Sequence, residues 1–222
     1  MATMAMSLRV VVPPHPLIGH WLTVLRDRHT PQPLYATATA ELGRWLTYEA
    51  LRDWLPHRTI AVETDLAATE GQVVDTGIPL LALPLLNTGL GLWAGAQSVL
   101  PAAQVAHPML AASGRVHGLP AAISERAGVL LFIDQIASGQ RLLSLLTALR
   151  DLGVEGRRLR VVTALSAAPG LKLLGEQCPE LTLYTACIDA EVDAVGRVVP
   201  GIGPVAERLF GGPTLEAGVP TA

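Results

Sequence analysis

The sequence predicts an α/β fold, a parallel sheet with helices packed on both faces. Apolar-rich runs at 78–86, 129–133, 159–166 and 181–188 have the length and content of strands buried on both sides. Segments with apolar residues at helical spacing fall between them. Half of the 222 residues are hydrophobic and only 16% are charged, which is enough apolar material for one large core.

The elements follow in chain order. Leu17, Trp21, Leu22 and Leu25 recur at helical spacing after Pro16. Leu34 to Trp54 reads as a longer amphipathic helix, with Leu42, Trp45, Leu46 and Ala50 toward one face and Pro56 as its stop. Thr59 to Gly71 alternates and turns, as a strand or hairpin arm does. Ile78 to Leu86 is a buried strand, and Gly89 to Leu100 is the helix after it. Ala103 to Ala122 is rich in Ala, Gly and Pro and carries no clear periodicity. Val129 to Ile133 is a second buried strand, with a helix from Gln140 to Leu152 behind it. Leu159 to Ser166 and Leu181 to Ile188 are strands on either side of a short helix, Leu171 to Gln177. In such sheets ligands bind at the carboxyl ends of the strands, where Asn87, Asp134, Ala167 and Asp189 fall.

Bulk properties exclude several classes. A net charge of -3 leaves no electrostatic footprint for nucleic acid. Cys178 and Cys187 have no metal-type spacing and read as reduced thiols of a cytoplasmic protein. Met1 to Leu8 has no signal-peptide pattern. Mean hydropathy is +0.40, and no Asp, Glu, Lys or Arg occurs from Thr76 to Gly114. Pro79, Pro84, Pro101 and Pro108 break that stretch, so a buried strand and helix are expected there and not a membrane span. Peripheral membrane association stays open, as does an exposed apolar patch beyond Pro101.

Three short constellations carry chemistry. The run ending in Asp134 opens into Gln135-Ile136-Ala137-Ser138-Gly139-Gln140-Arg141. A strand, an acid, a Ser-Gly turn and a new helix together make a phosphate-sugar cradle. Backbone N–H groups hold the phosphate and the carboxylate accepts from sugar hydroxyls. The alternative is an ordinary helix start capped by Ser138. Asn87-Thr88-Gly89 follows another strand, either as a second anion-facing loop or as a glycine turn for tight packing. Asp189, Glu191 and Asp193 alternate, but they fit no calcium loop and read as a solvated turn. His15, His20 and His29 read as surface or capping residues, and no metal site is expected.

Taken together, the segments resemble uracil phosphoribosyltransferase over about residues 11–211. The resemblance lies in His15-Pro16-Leu17-Ile18-Gly19-His20, Glu41-Leu42-Gly43-Arg44-Trp45-Leu46-Thr47-Tyr48-Glu49-Ala50, Pro84 to Gly91, Tyr184 to Asp189 and Pro200-Gly201-Ile202-Gly203. It implies a single Rossmann-like domain spanning 1–222, with a protruding β-arm at 59–77 that pairs subunits and a small C-terminal hood at 190–211. It also implies a homodimer, a substrate pair of uracil and magnesium-phosphoribosyl pyrophosphate, and uridine monophosphate as product.

The ligand loops depart from the family pattern. Asn87 stands where the family has an arginine facing pyrophosphate, and an amide supplies no charge. The cradle is one residue shorter, with Gln140 and Arg141 in place of glycine and serine. Pro204 stands where the family continues Gly-Asp. The family's charged mobile loop corresponds to Ala106–Ala122, where only Arg115 is charged. The sequence therefore leads to the expectation of a catalytically impaired scaffold with no catalytic residues. It would keep a remnant phosphoribosyl loop (Asp134, Ser138, Gly139, Gln140, Arg141), a remnant pyrophosphate loop (Asn87, Thr88, Gly89) and a remnant uracil region (Val199, Gly201, Gly203). Such a scaffold would take no cofactor, with Mg needed only if transfer survives, and would meet a protein partner through the low-charge 76–122 region. Two alternatives stand beside it: an active uracil phosphoribosyltransferase, and a binder of another phosphorylated ligand.

Overall fold

The structure, a computed structural model, describes residues 7–100 and 102–211. The expectation about residues 1–8 falls mostly outside that range, as does Pro101.

The chain opens with strand β1 (Arg9–Val11) and helix α1 (Pro16–Arg26), whose first turn is capped by His15 Nδ1 accepting from Leu17 N at 3.2 Å. Helix α2 (Gln32–Leu51) starts two residues before the expected Leu34, because Pro33 is tolerated in a first turn. It stops before Trp54, whose indole N–H donates instead to the Arg157 carbonyl at 2.8 Å. Strands β2 (His57–Glu63) and β3 (Ala68–Val74) form an antiparallel hairpin outside the main sheet. Next come β4 (Leu80–Pro84), α3 (Leu90–Ala96), β5 (Gln104–Val105) and a small hairpin of β6 (Met109–Leu110) and β7 (Val116–His117). Then follow β8 (Gly128–Ile136), α4 (Gln140–Asp151), β9 (Leu159–Ala167), α5 (Ala168–Gln177) and β10 (Thr182–Thr185). The chain closes with β11 (Ile188–Asp189), β12 (Glu191–Val192), β13 (Val198–Val199) and α6 (Val205–Phe210).

The main sheet is parallel throughout, in the order β1-β10-β9-β8-β4-β5, with β11 added beside the end of β9. Strand β8 lies inside it, with Leu131 opposite both Leu83 and Val161. Strand alternation divides the core. Leu130 and Phe132 face a layer built from Ile18, Leu42, Leu46 and Leu92, while Val129, Leu131 and Ile133 face Leu142, Leu145, Leu149 and Leu174.

The low-charge 76–122 stretch spends most of its apolar residues inward. Leu80 to Leu85, Leu92, Ala96 and Leu100 are buried, and Ala103, Ala106, Val116 and Leu119 pack against the two core layers. Leu86, Val105 and Met109 are its large apolar side chains left exposed among the described residues. None of the described helices is long and apolar enough to cross a membrane.

Candidate active site at the carboxyl ends of the strands

Strand β8 does not end at Ile133 as the apolar run suggested. It continues through Asp134 to Ile136, because Gln135 and Ile136 keep their register with Leu165 and Ser166 of β9. Asp134 is therefore held in the sheet at 5% exposure, and its Oδ1 has no hydrogen-bond partner. Burial pushes its carboxyl above the ordinary carboxylate range, opposed by the Gln135 N–H and the charge of Arg141. The turn that follows passes through Gly139 at φ +83°, where an added Cβ would come within 2.9 Å of the Gly170 carbonyl oxygen, so only glycine seats it against α5. Gly139, not Ser138, is the capping residue of α4, and the Ser138 hydroxyl accepts only a long 3.5 Å contact from Gln140 N.

A cavity of about 180 Å³ opens here, lined by residues 133–139, Arg141, Leu142 and Gly196. Arg141 is exposed at its rim and has no acidic partner within ion-pair distance among the described residues. The first-turn N–H groups of α4 lack intrahelical acceptors, as at any helix start. A cation, free N–H groups and a buried carboxylate with an open oxygen suit a phosphorylated sugar.

The loop after β4 is stitched down by its backbone. Leu85 N donates to Phe132 O at 2.9 Å, Leu86 N to Pro108 O at 2.8 Å and Gly89 N to Leu85 O at 2.7 Å. The Leu86–Asn87 peptide is cis. A Cβ on Gly89 would run into the Phe132 carbonyl and sit 2.6 Å from Leu85 N, so the glycine serves close strand packing. Thr88 is buried with its hydroxyl toward the Asp134 carboxyl, which it favours in the charged form, and Asn87 is exposed.

The C-terminal segment folds over the strand ends. Asp189 is not part of a solvated turn. It is 5% exposed and grips Arg26, with Nη2 at 2.6 Å from Oδ1 and Nη1 at 3.0 Å from Oδ2. Its Oδ2 also accepts from Gly201 N at 3.0 Å, while Arg26 Nη1 donates to Gly201 O at 3.1 Å. Burial pushes this carboxyl up, but the Arg26 and Gly201 hydrogen bonds together with the Arg26 charge hold it below the usual range. Asp193 instead accepts from Val195 N and Arg197 N, closing its own turn. Ile202 O accepts from the Tyr35 hydroxyl at 3.1 Å and from Arg208 Nη1 at 3.1 Å. Arg208 lies 4.0 Å over the Tyr35 ring. The carbonyls of Gly201 and Ile202 are thus both claimed by side chains from α1, α2 and α6. The N–H groups of Ile202 and Gly203 have no acceptor among the described residues. A cavity of about 340 Å³ lies in front, lined by Gln135, Asp193, Arg197, Val198–Pro200, Gly203 and Pro204.

The fold thus brings Asp134, Ser138, Gly139 and Arg141 to one cavity and Val199 and Gly203 to a second beside it. Gln140, Gly201, Asn87, Thr88 and Gly89 line neither. Neither Gln135, which lines both, nor Arg26 was singled out from the sequence. Nothing local marks either, since the partner of Arg26 is 163 residues away. No group of three or more His, Cys, Asp or Glu side chains suited to a metal occurs among the described residues.

A family model described as uracil phosphoribosyltransferase matches residues 12–212. The chain is 45% identical to the uracil phosphoribosyltransferase of Synechococcus elongatus over 95% of its own length and all of the relative's. It is 40% identical to that of Nostoc, over 94% of this chain and all of the relative. A solved structure of an Aquifex aeolicus protein superposes with a TM-score of 0.76 at 26% identity, covering 91% of this chain and 98% of the other. These relatives overturn the expectation of an inactive scaffold. Identity of 40–45% extends end to end through proteins named for the transferase, which favours the active enzyme held as the alternative. The altered loops are therefore not grounds for reading the chain as inactive. By its sequence profile, its relatives and its fold, the chain belongs to the uracil phosphoribosyltransferase family.

Proposed function

We propose that this chain is a uracil phosphoribosyltransferase, converting uracil and phosphoribosyl pyrophosphate into uridine monophosphate and pyrophosphate. The observation that carries the reading is the pair of adjoining cavities at the strand ends. One is a cradle for a phosphorylated sugar and the other a backbone-lined slot, and they share Gln135.

In the reaction, N1 of uracil forms a bond to the anomeric carbon of ribose as the bond from that carbon to the pyrophosphate oxygen breaks. The N1 proton is released. The transition state resembles an oxocarbenium ion, so the protein contributes chiefly by positioning and by matching charge. The first turn of α4 and Arg141 hold the 5′-phosphate. Asp134, with its open Oδ1, accepts from ribose hydroxyls. The Gly203 N–H, at the wall of the second cavity, faces a carbonyl oxygen of the base. Magnesium bound with phosphoribosyl pyrophosphate would supply charge neutralisation on the leaving group, and Asp134 is the carboxylate of the cradle that would hold it, through water or directly. One buried carboxylate with a free oxygen suits an ion that takes most of its ligands from substrate phosphates and water. Asn87 adds no charge to the pyrophosphate loop.

Two further expectations belong to this reading. A homodimer forms through the β2–β3 hairpin, and the free thiols Cys178 and Cys187 suit the reducing cytoplasm. The test is chromatographic detection of uridine monophosphate from uracil, phosphoribosyl pyrophosphate and Mg²⁺. Multiple turnovers support the proposal, and no product at stoichiometric enzyme overturns it.

A further inference from the structure

Two side chains far apart in sequence converge on one carbonyl behind the base cavity. The Tyr35 hydroxyl of α2 donates to Ile202 O at 3.1 Å, and Arg208 Nη1 of α6 donates to the same oxygen at 3.1 Å. Tyr35 is fully buried, and burial pushes its phenol well above the ordinary value, so it stays a donor at any working pH. Arg208 has no carboxylate within ion-pair distance among the described residues. Its guanidinium lies 4.0 Å over the Tyr35 ring and also donates to Leu25 O at 2.6 Å and Asp27 O at 2.7 Å, at the end of α1. A helix C-terminus suits a cation, so the charge is held in place without an acid to cancel it.

Ile202 O and the Gly203 N–H are the two ends of one planar trans peptide and point in opposite directions. Drawing the carbonyl toward α2 and α6 therefore aims the N–H away from them. Gly203 is exposed at the wall of the base cavity, and its N–H has no acceptor among the described residues. Two donors on one carbonyl, one of them charged, also polarise the peptide and strengthen its N–H as a donor. As uracil N1 loses its proton, negative charge spreads onto the ring carbonyl oxygens. A stronger donor then contributes more in the reaction than in binding alone. We infer, on the transferase reading above, that Tyr35 and Arg208 are positioning residues: through the Ile202–Gly203 peptide they orient and polarise the N–H that meets a carbonyl oxygen of the base.

The experiment measures kcat/KM for uracil, 2-thiouracil and 4-thiouracil, and KM for phosphoribosyl pyrophosphate, in the wild type, Tyr35→Phe and Arg208→Lys. Sulfur is a weak acceptor, so thio-substitution at the contacted oxygen weakens the same bond from the substrate side. The wild type should prefer uracil to at least one of the two analogues. Tyr35→Phe deletes one hydroxyl and keeps the ring beneath Arg208. It should lower kcat/KM for uracil roughly 3- to 10-fold, leave KM for phosphoribosyl pyrophosphate within about twofold and shrink the preference over that analogue. Arg208→Lys keeps the charge but not the fork that reaches three carbonyls, and should show the same pattern more strongly. Far-UV circular dichroism checks folding, and Tyr35→Phe alone carries the test where Arg208→Lys does not fold. A loss that falls equally on uracil and both analogues is that of a merely structural residue and overturns the inference. Unchanged uracil kinetics in Tyr35→Phe, or a wild type indifferent to sulfur at both positions, also overturns it and leaves the transferase reading standing. A wild type that does not turn over uracil removes both readings.

Discussion

Asp134 shows at the scale of one residue how a site trades stability for function. Its folded carboxyl titrates above the ordinary range, so the folded state holds a proton more tightly than the unfolded chain. Ionising it near neutrality therefore costs stability, a cost relieved as the pH falls below its raised value. Asp134→Asn should raise the thermal midpoint of the free protein at pH 7 while lowering kcat/KM by at least tenfold, which scanning fluorimetry and steady-state assays read side by side. Arg141 makes a different case, being exposed and without an acidic partner. Removing one charge-assisted contact costs about 1.5–3 kcal/mol, so Arg141→Gln should raise KM for phosphoribosyl pyrophosphate roughly 10- to 100-fold with little change for uracil. Arg141→Lys should recover part of the loss. The sequence made both legible, as an acid before a turn and a cation after it, but the burial of Asp134 came from a strand that outran its apolar run.

Between elements, the decisive contact is the pin from α1 to the strand ends. Arg26 lies on the last turn of α1, Asp189 on β11, and Gly201 on the loop after β13, three segments distant in sequence and joined by one bidentate pair. Breaking a buried pair costs about 3–5 kcal/mol, so Arg26→Gln should destabilise the fold and raise KM for uracil. The pH dependence has a definite sign. The folded value of Asp189 is lowered, so its contribution is complete above the ordinary aspartate range and is lost as pH falls through the lowered value. Removing Arg26 removes much of that lowering. In acid titrations followed by tryptophan fluorescence, the variant should unfold at higher pH than the wild type. A transition at the same pH would show that the pin contributes nothing. The alternating acids at 189–193 could not announce this role, because their spacing is equally that of a solvated turn.

For the whole molecule, the open question is what meets the hairpin arm. Leu66 at its turn is 98% exposed, and a groove of about 550 Å³ at its base is lined by Tyr48, Leu51, Leu55, Val73, Val74 and Val99 among others. Apolar surface of that kind is costly to leave in water, and a second copy of the chain is the partner the family resemblance supplies. Sedimentation analysis should show a dimer, and Leu66→Asp combined with Tyr48→Asp should shift it toward monomer. A wild-type chain that sediments as a monomer at micromolar concentration would remove the dimer.

The sequence by itself determined the central strands, their flanking helices, the family and the strand ends where the ligand loops fall, but not the edge strands β1 and β5. Those follow from local periodicity and from turn residues at fixed offsets, which a linear reading can see. Three-dimensional structure alone decided that Asp134 is sealed inside β8, that Asp189 is locked to Arg26 and that Gln135 bridges two cavities. Each depends on burial or on a partner far along the chain, and burial is a property of the packed molecule. The same limit explains why substitutions in the ligand loops read as damage in the sequence. A lost charge is visible at one position, whereas the surroundings that decide its effect come together only when the sheet is assembled.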